Sequence, residues 1–139
     1  MVTDIVNGIS VKLNKTFGDD FTTYSKNTEQ GLHEPCFFIQ LLTVLNTPFV
    51  GKRKRKDFPF DIHYFPVNDA DNEAMIEIGE KMADSMEFIT LLNGDVMHGK
   101  DISFQIIDGV LHFNITYSVF QNEINTESSM ETITAGVKV

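Results

Sequence analysis

The chain has 139 residues and a formal net charge of −9, and 42% of its residues are hydrophobic. Because this apolar content is too high for a disordered chain, and the length is enough to bury a core, we expect one folded domain over residues 1–139. The N-terminus lacks the features of a signal peptide, and no apolar run reaches the ~20 residues of a membrane helix, so we expect a soluble protein. The single cysteine, Cys36, stands among apolar residues and is predicted to be a buried hydrophobic residue rather than a nucleophile.

Five of the eleven basic residues are consecutive and form what we call the basic segment: Lys52, Arg53, Lys54, Arg55 and Lys56. The remaining 134 residues hold six basic residues against twenty acidic ones, a net charge of −14. This separation of charge predicts that the basic segment contacts an acidic protein surface, including one on another copy of the chain. A solvated hairpin loop is the plain alternative. Nucleic-acid binding is disfavoured, because the acidic remainder repels a polyanion and no aromatic residues interleave the charges.

The first half of the chain predicts one helix followed by three strands. The helix should begin with Thr3 as its N-cap and end at Gly18, because apolar residues recur every four positions between them. A short strand is predicted over residues 21–25. Residues 36–45 are apolar at both alternating sets of positions, which is typical of a central strand covered on both faces.

Residues 46–56 are predicted to form a hairpin connection, which carries the basic segment. The strand after it covers residues 58–65, has its even-numbered residues facing inward, and stops at Pro66. A second helix should then begin at Asn68 or Asp69 and end before Asn93. Its apolar residues are spaced by three or four, and we interpret them as core: Met75, Ile78, Met82, Met86 and Ile89.

The last predicted element is a hairpin whose two-residue turn is Asp108 and Gly109. This turn pairs Ile107 with Val110 and so fixes every later pair, including Phe104 with Phe113 and Ile102 with Ile115. One face of the hairpin is then apolar and the other is polar.

From about residue 122 to 139 the chain is polar without periodicity, which fits either an arm that orders against another subunit or a frayed tail. The predicted order is α-β-β-β-α-β-β.

The sequence contains no motif for catalysis. It has no phosphate-binding loop and no nucleophile elbow, and its four histidines do not have the spacing of a zinc site. Asp61 and His63 should point to the same side of one strand, and Asp101 and His112 could lie on the polar face of the last hairpin. We interpret these residues as solvated or interface side chains, with a metal or general-base role as a minor alternative. The chain is therefore predicted to be no enzyme and to have no cofactor and no metal site.

Four segments resemble a known family of proteins. Residues 4–9, 31–39, 59–66 and 108–113, in that order and at these separations, are similar to the small tail terminator (tail completion) proteins of phages and prophages of Gram-positive bacteria. The same family occurs in phage-tail-like bactericidal particles.

The resemblance implies a structural subunit, typically one of six in a ring, that caps the last ring of the tail tube. Such a ring would stop growth of the tube or sheath and join the tail to the neck, at the head-proximal end of a virion or phage-tail-like particle. Its implied partners are copies of itself and the tail tube protein, with sheath and neck proteins as further candidates. The family has no catalytic motif, so no functional residue is carried over.

Together, the pattern and the resemblance predict an α+β fold, with two helices packed on a mainly antiparallel sheet of about five to six strands and a C-terminal arm over about 122–139. Two other functions stay open at this point. One is a different head–tail connector or neck protein, and the more distant one is a small nucleic-acid-binding regulator that uses residues 52–56.

Overall fold

A computed structural model describes residues 1–18, 21–25, 35–48, 51, 53–66 and 71–122. The chain divides into two compact units, residues 1–44 with 57–118 and residues 45–56 with 119–139. The predicted C-terminal arm lies outside the described residues. The elements are, in chain order, α1 (Val2–Phe17), β1 (Thr22–Tyr24), β2 (Cys36–Leu41), β3 (Leu45–Pro48), β4 (Arg53–Phe65), α2 (Asn72–Ser85), β5 (Phe88–Thr90), β6 (Val96–Ile107) and β7 (Val110–Asn122).

The strands form one seven-stranded sheet in the order β1-β2-β4-β7-β6-β5, and β3 pairs with β4 beside this path. β1 runs parallel to β2, whereas the pairs β2–β4, β5–β6 and β6–β7 are antiparallel. The predicted α+β class with two helices is confirmed. β3 and β5 were not predicted from the sequence, because both are only three or four residues long.

Both helices pack against the same face of the sheet. The Phe17 ring of α1 lies 5.1 Å from the Phe37 ring of β2, and Gly79 of α2 lies against Phe104 of β6. The core is built where these elements meet. Its largest fully buried side chains are Tyr117, Phe37, Phe60, Phe113, Ile5, Ile9, Leu13, Ile39, Ile62, Met75, Met82 and Met86.

The predicted first helix is confirmed, with its apolar face buried and Gly18 at its end. Its predicted start is wrong by two residues, because Met1 is the N-cap and Thr3 lies inside the helix. The start of α2 also differs from the prediction. Asp71 is the N-cap, and its side chain accepts a hydrogen bond of 2.8 Å from the Ala74 backbone N–H.

The second helix ends earlier than predicted, at Ser85 rather than just before Asn93. Gly94, next to Asn93, has a φ of +94° and donates its N–H to the Leu91 carbonyl at 2.9 Å, which closes the turn between β5 and β6. Ile89 therefore lies on β5 and not on the helix, although it is buried as predicted. Asn93-Gly94 marks a hairpin turn and was wrongly interpreted as a helix end.

The predicted strand over residues 36–45 is also shorter in the structure. β2 ends at Leu41, and a separate strand, β3, starts at Leu45. For the strand predicted over residues 58–65, the predicted inward face is confirmed. Its members are all buried: Phe58, Phe60, Ile62 and Tyr64. It ends at Phe65, just before Pro66, as predicted.

The last hairpin confirms the predicted register near its turn and contradicts it further away. Ile107 pairs with Val110 and Phe104 with Phe113, but a β-bulge between Lys100 and Ser103 shifts the register. The predicted pair of Ile102 with Ile115 is therefore wrong.

Candidate functional site

The basic segment does not lie in a loop, as predicted, but largely in a strand. Arg53, Lys54, Arg55 and Lys56 form the start of β4, and Lys52 lies outside the described residues. Pairing of β3 with β4 accounts for the difference, because it extends the strand well beyond the apolar alternation that marks residues 58–65.

A strand separates the side chains of the basic segment into two sets. Because successive residues point to opposite faces, Arg53 and Arg55 share one face of β4 and Lys54 and Lys56 share the other. Arg53 and Lys54 are exposed. The Arg53 guanidinium lies 5.2 Å from the centre of the Phe120 ring, within the distance of a cation–π contact. The described part of the segment thus presents positive charge along a strand.

Acidic side chains form a matching surface on α2, which we call the acidic stripe: Glu73, Glu77, Glu80 and Asp84. All four are exposed. Their spacing of four, three and four residues places them on one side of the helix. The same side borders a pocket of about 540 Å³, which Glu77, Glu80 and Asp84 line together with Lys81. The described structure therefore carries an acidic surface of the kind that the basic segment could contact on another copy.

The sheet face away from the helices carries a row of polar side chains. Asp57 of β4 is 6% exposed, accepts a hydrogen bond from the Ser118 hydroxyl of β7, and lies 3.6 Å from the Lys100 ammonium of β6. These contacts link three neighbouring strands on the outer face.

Further along the same face, three side chains form what we call the Asp–His cluster: Asp61, His63 and His112. The distance from Asp61 Oδ2 is 3.1 Å to His63 Nε2 and 3.5 Å to His112 Nδ1. The centres of the two imidazole rings are 4.3 Å apart. The three side chains are between 17% and 22% exposed. The prediction that Asp61 and His63 point to the same side is consistent with this geometry.

The sequence pattern did not predict the third member of the cluster. It grouped His112 with Asp101, whereas the structure places His112 beside Asp61 on the neighbouring strand. Asp101 is an exposed residue with a φ of +54° within the β-bulge of β6. β4 and β7 are neighbours in the sheet but far apart in sequence. No local sequence pattern could therefore reveal that His112 lies beside Asp61.

At the β5 edge of the sheet, apolar side chains remain uncovered by the described residues. Phe88 stacks on His98, with 4.6 Å between ring centres, and is 49% exposed. Leu92 and Val96 at the adjoining turn are 81% and 63% exposed. Such an edge is typical of a surface that packs against another protein.

Within the described residues, neither helix is both long and apolar enough to cross a membrane.

A family model described as phage tail terminator protein matches residues 4–129 of the chain. The chain belongs to the phage tail terminator family. The match includes every helix and strand of the structure except the first two residues of α1, and it confirms the resemblance given by the four sequence segments. A search of curated proteins finds no match to this tail terminator. Family membership makes it a structural component of a phage tail that interacts with other tail proteins.

Proposed function

We propose that this tail terminator assembles into a ring, of six copies, on the last ring of the tail tube. There it stops growth of the tube or sheath and joins the tail to the neck, at the head-proximal end of the particle. It acts by assembly and not by catalysis. Membership of the tail terminator family is the observation that carries the proposal.

Ring closure needs heterologous interfaces, in which one surface of a subunit contacts a different surface of the next. The basic segment and the acidic stripe of α2 supply two surfaces of opposite charge. We propose that the basic segment of one copy contacts the acidic stripe of its neighbour, which would also reduce repulsion among six acidic subunits. The apolar β5 edge, with Phe88 and Leu92 exposed, offers a further surface that assembly would cover.

Charge reversal tests this pairing directly. The double variant Lys54→Glu, Lys56→Glu should reduce the fraction of protein in rings, measured by native mass spectrometry, because it places like charges in contact. Adding Glu77→Lys and Glu80→Lys should restore ring formation. A matched control, Lys12→Glu with Lys15→Glu on α1, makes the same change in net charge and should have a smaller effect. If the control impairs assembly equally, only net charge matters and the proposed pairing is wrong.

Deletion of the coding sequence from the phage or prophage tests the function itself. Electron microscopy of lysates should show tails of uncontrolled length or tails that fail to join their neck, and the wild-type protein supplied in trans should restore them. Labelled protein should lie at the head-proximal end of the tube. Tails of normal length and full activity without the protein would refute the terminator function, and a label confined to the neck would support a connector instead.

A further inference from the structure

We propose that Asp61, His63 and His112 form a binding site for one divalent transition-metal ion, of the class that includes Zn²⁺ and Co²⁺. The three potential ligand atoms all lie within 4.8 Å of one another. Two imidazole nitrogens and one carboxylate oxygen are a ligand set that suits these ions better than Mg²⁺ or Ca²⁺, which favour oxygen ligands.

The spacing of the ligand atoms is close to what a metal ion requires. Bonds of about 2.0–2.1 Å from zinc to nitrogen or oxygen place the ligand atoms of a tetrahedral site roughly 3.3–3.5 Å apart. The carboxylate oxygen of Asp61 is already 3.1 Å from His63 Nε2 and 3.5 Å from His112 Nδ1. Two of the three distances between ligands therefore need little change, and small side-chain rotations adjust the third.

Two neighbouring strands of the sheet fix the positions of these ligands. Asp61 and His63 are two residues apart on β4, so the alternation of the strand directs both to one face. His112 comes from β7, which is the neighbour of β4 in the sheet. The His63 ring makes a T-shaped contact with the Phe38 ring of β2, with 5.8 Å between ring centres. This contact limits both the rotation of the imidazole and its access to water.

Two polar atoms of the cluster also lack the hydrogen bonds that burial normally requires. Asp61 Oδ1 and His63 Nε2 are buried, and neither has a hydrogen-bond partner among the described residues. The short distance between His63 Nε2 and Asp61 Oδ2 does not have the direction of a hydrogen bond. Burying unpaired polar atoms is unfavourable, and a bound cation would supply the missing interaction. Three protein ligands leave a fourth position, and the partial exposure of the cluster leaves it open to water or to a donor from another chain.

Titration of the purified, metal-free protein with Co²⁺ and Zn²⁺ tests the site. We expect one ion per chain, with visible absorption bands of Co²⁺ bound to nitrogen and oxygen ligands, and a melting temperature that rises with Zn²⁺ concentration. His63→Ala and His112→Ala should each weaken binding by at least about tenfold and remove the thermal shift.

His98→Ala is the matched control. His98 also lies beside a carboxylate, with Nε2 3.0 Å from Glu87 Oε2, but the described structure gives this pair no third ligand. Its removal should leave metal affinity unchanged. If His63→Ala fails to fold by circular dichroism, His112→Gln, which keeps a polar side chain of similar reach, decides the question. The proposal is wrong if the wild-type protein shows no saturable binding, or if the variants of His63 and His112 bind as tightly as the wild type.

Discussion

Gly79 allows α2 to approach the sheet. A Cβ atom at this position would lie 2.5 Å from Cδ2 of Phe104, well inside van der Waals contact. Alanine is the better helix former by about 1 kcal/mol, but overpacking a core usually costs about 1–3 kcal/mol. We therefore expect Gly79→Ala to lower the free energy of unfolding in urea.

Two further variants show whether the contact with Phe104 is the cause. Glu80→Ala, at an exposed neighbouring position, should be close to neutral. Phe104→Leu combined with Gly79→Ala should destabilise less than the sum of the two single changes, because leucine makes room for the new methyl group. Strict additivity would show that the close approach does not determine the cost.

Tyr117 joins β7 to the end of α2. Its buried hydroxyl donates a hydrogen bond of 2.6 Å to the Met86 carbonyl, which caps the helix. Tyr117→Phe removes the donor and leaves the carbonyl without it, so we expect a loss of about 1–3 kcal/mol in urea unfolding. A loss below measurement error would mean that water replaces the hydroxyl.

The same side chain predicts how stability responds to high pH. Burial raises the pKa of Tyr117 above its ordinary value. In the unfolded chain it ionises near pH 10, whereas in the folded protein it stays protonated to higher pH, so its stabilising contribution is lost as pH rises above about 10. The free energy of unfolding should therefore fall more steeply above about pH 10 for the wild type than for Tyr117→Phe. Equal slopes would contradict this assignment.

Among the elements, the hairpin of β6 and β7 shows best what the sequence determines. The turn at Asp108 and Gly109 sets the register near it, because a two-residue loop allows only one pairing. Asp101 breaks that register by adopting a positive φ within the bulge. The inward positions of β6 then change from even-numbered to odd-numbered, and Gly99 is buried against Ile115. Nothing in the alternation of β6 predicts where this change occurs.

The inward face of β7 is apolar and buried from Leu111 to Tyr117, and the turn register predicts that Phe113 is part of the core. Phe113 is fully buried, whereas the neighbouring Asn114 points to the other face and is half-buried. Phe113→Ala should cost roughly 3–5 kcal/mol in urea unfolding, as large-to-small core substitutions do. Asn114→Ala should cost less than about 1 kcal/mol. Equal losses would show that the assignment of the two faces is wrong.

Other elements were less predictable because tertiary contacts decide them. The apolar spacing of α2 identifies its buried face correctly but runs on through Ile89, since a buried position on β5 continues the same spacing. The basic segment has no apolar alternation, and only its pairing partner makes it a strand. For the same reason, only part of the Asp–His cluster could be predicted. The alternation of β4 places Asp61 and His63 on one face, but only the order of the strands in the sheet adds His112.

For the whole molecule, the distribution of charge bears most directly on assembly. The basic segment carries five positive charges, and the other 134 residues carry a net charge of −14. Exposed ion pairs contribute only about 0–1 kcal/mol each, so any single Lys→Ala change in the segment should be tolerated. A ring repeats each contact at every interface, so several weak pairs could together decide whether it closes.

Replacing all five basic residues, Lys52, Arg53, Lys54, Arg55 and Lys56, with serine should therefore weaken ring formation or docking to the tail tube while the monomer stays folded. Charge interactions at the surface are screened over about 8–10 Å at ordinary ionic strength, so assembly of the wild type should weaken as salt is added. The serine variant should lose most of this salt dependence. Sedimentation velocity across a salt series measures both effects, and circular dichroism checks the fold. If the variant assembles and docks with unchanged affinity and unchanged salt dependence, the basic segment is only solvated and another surface, such as the apolar β5 edge, must hold the subunits together.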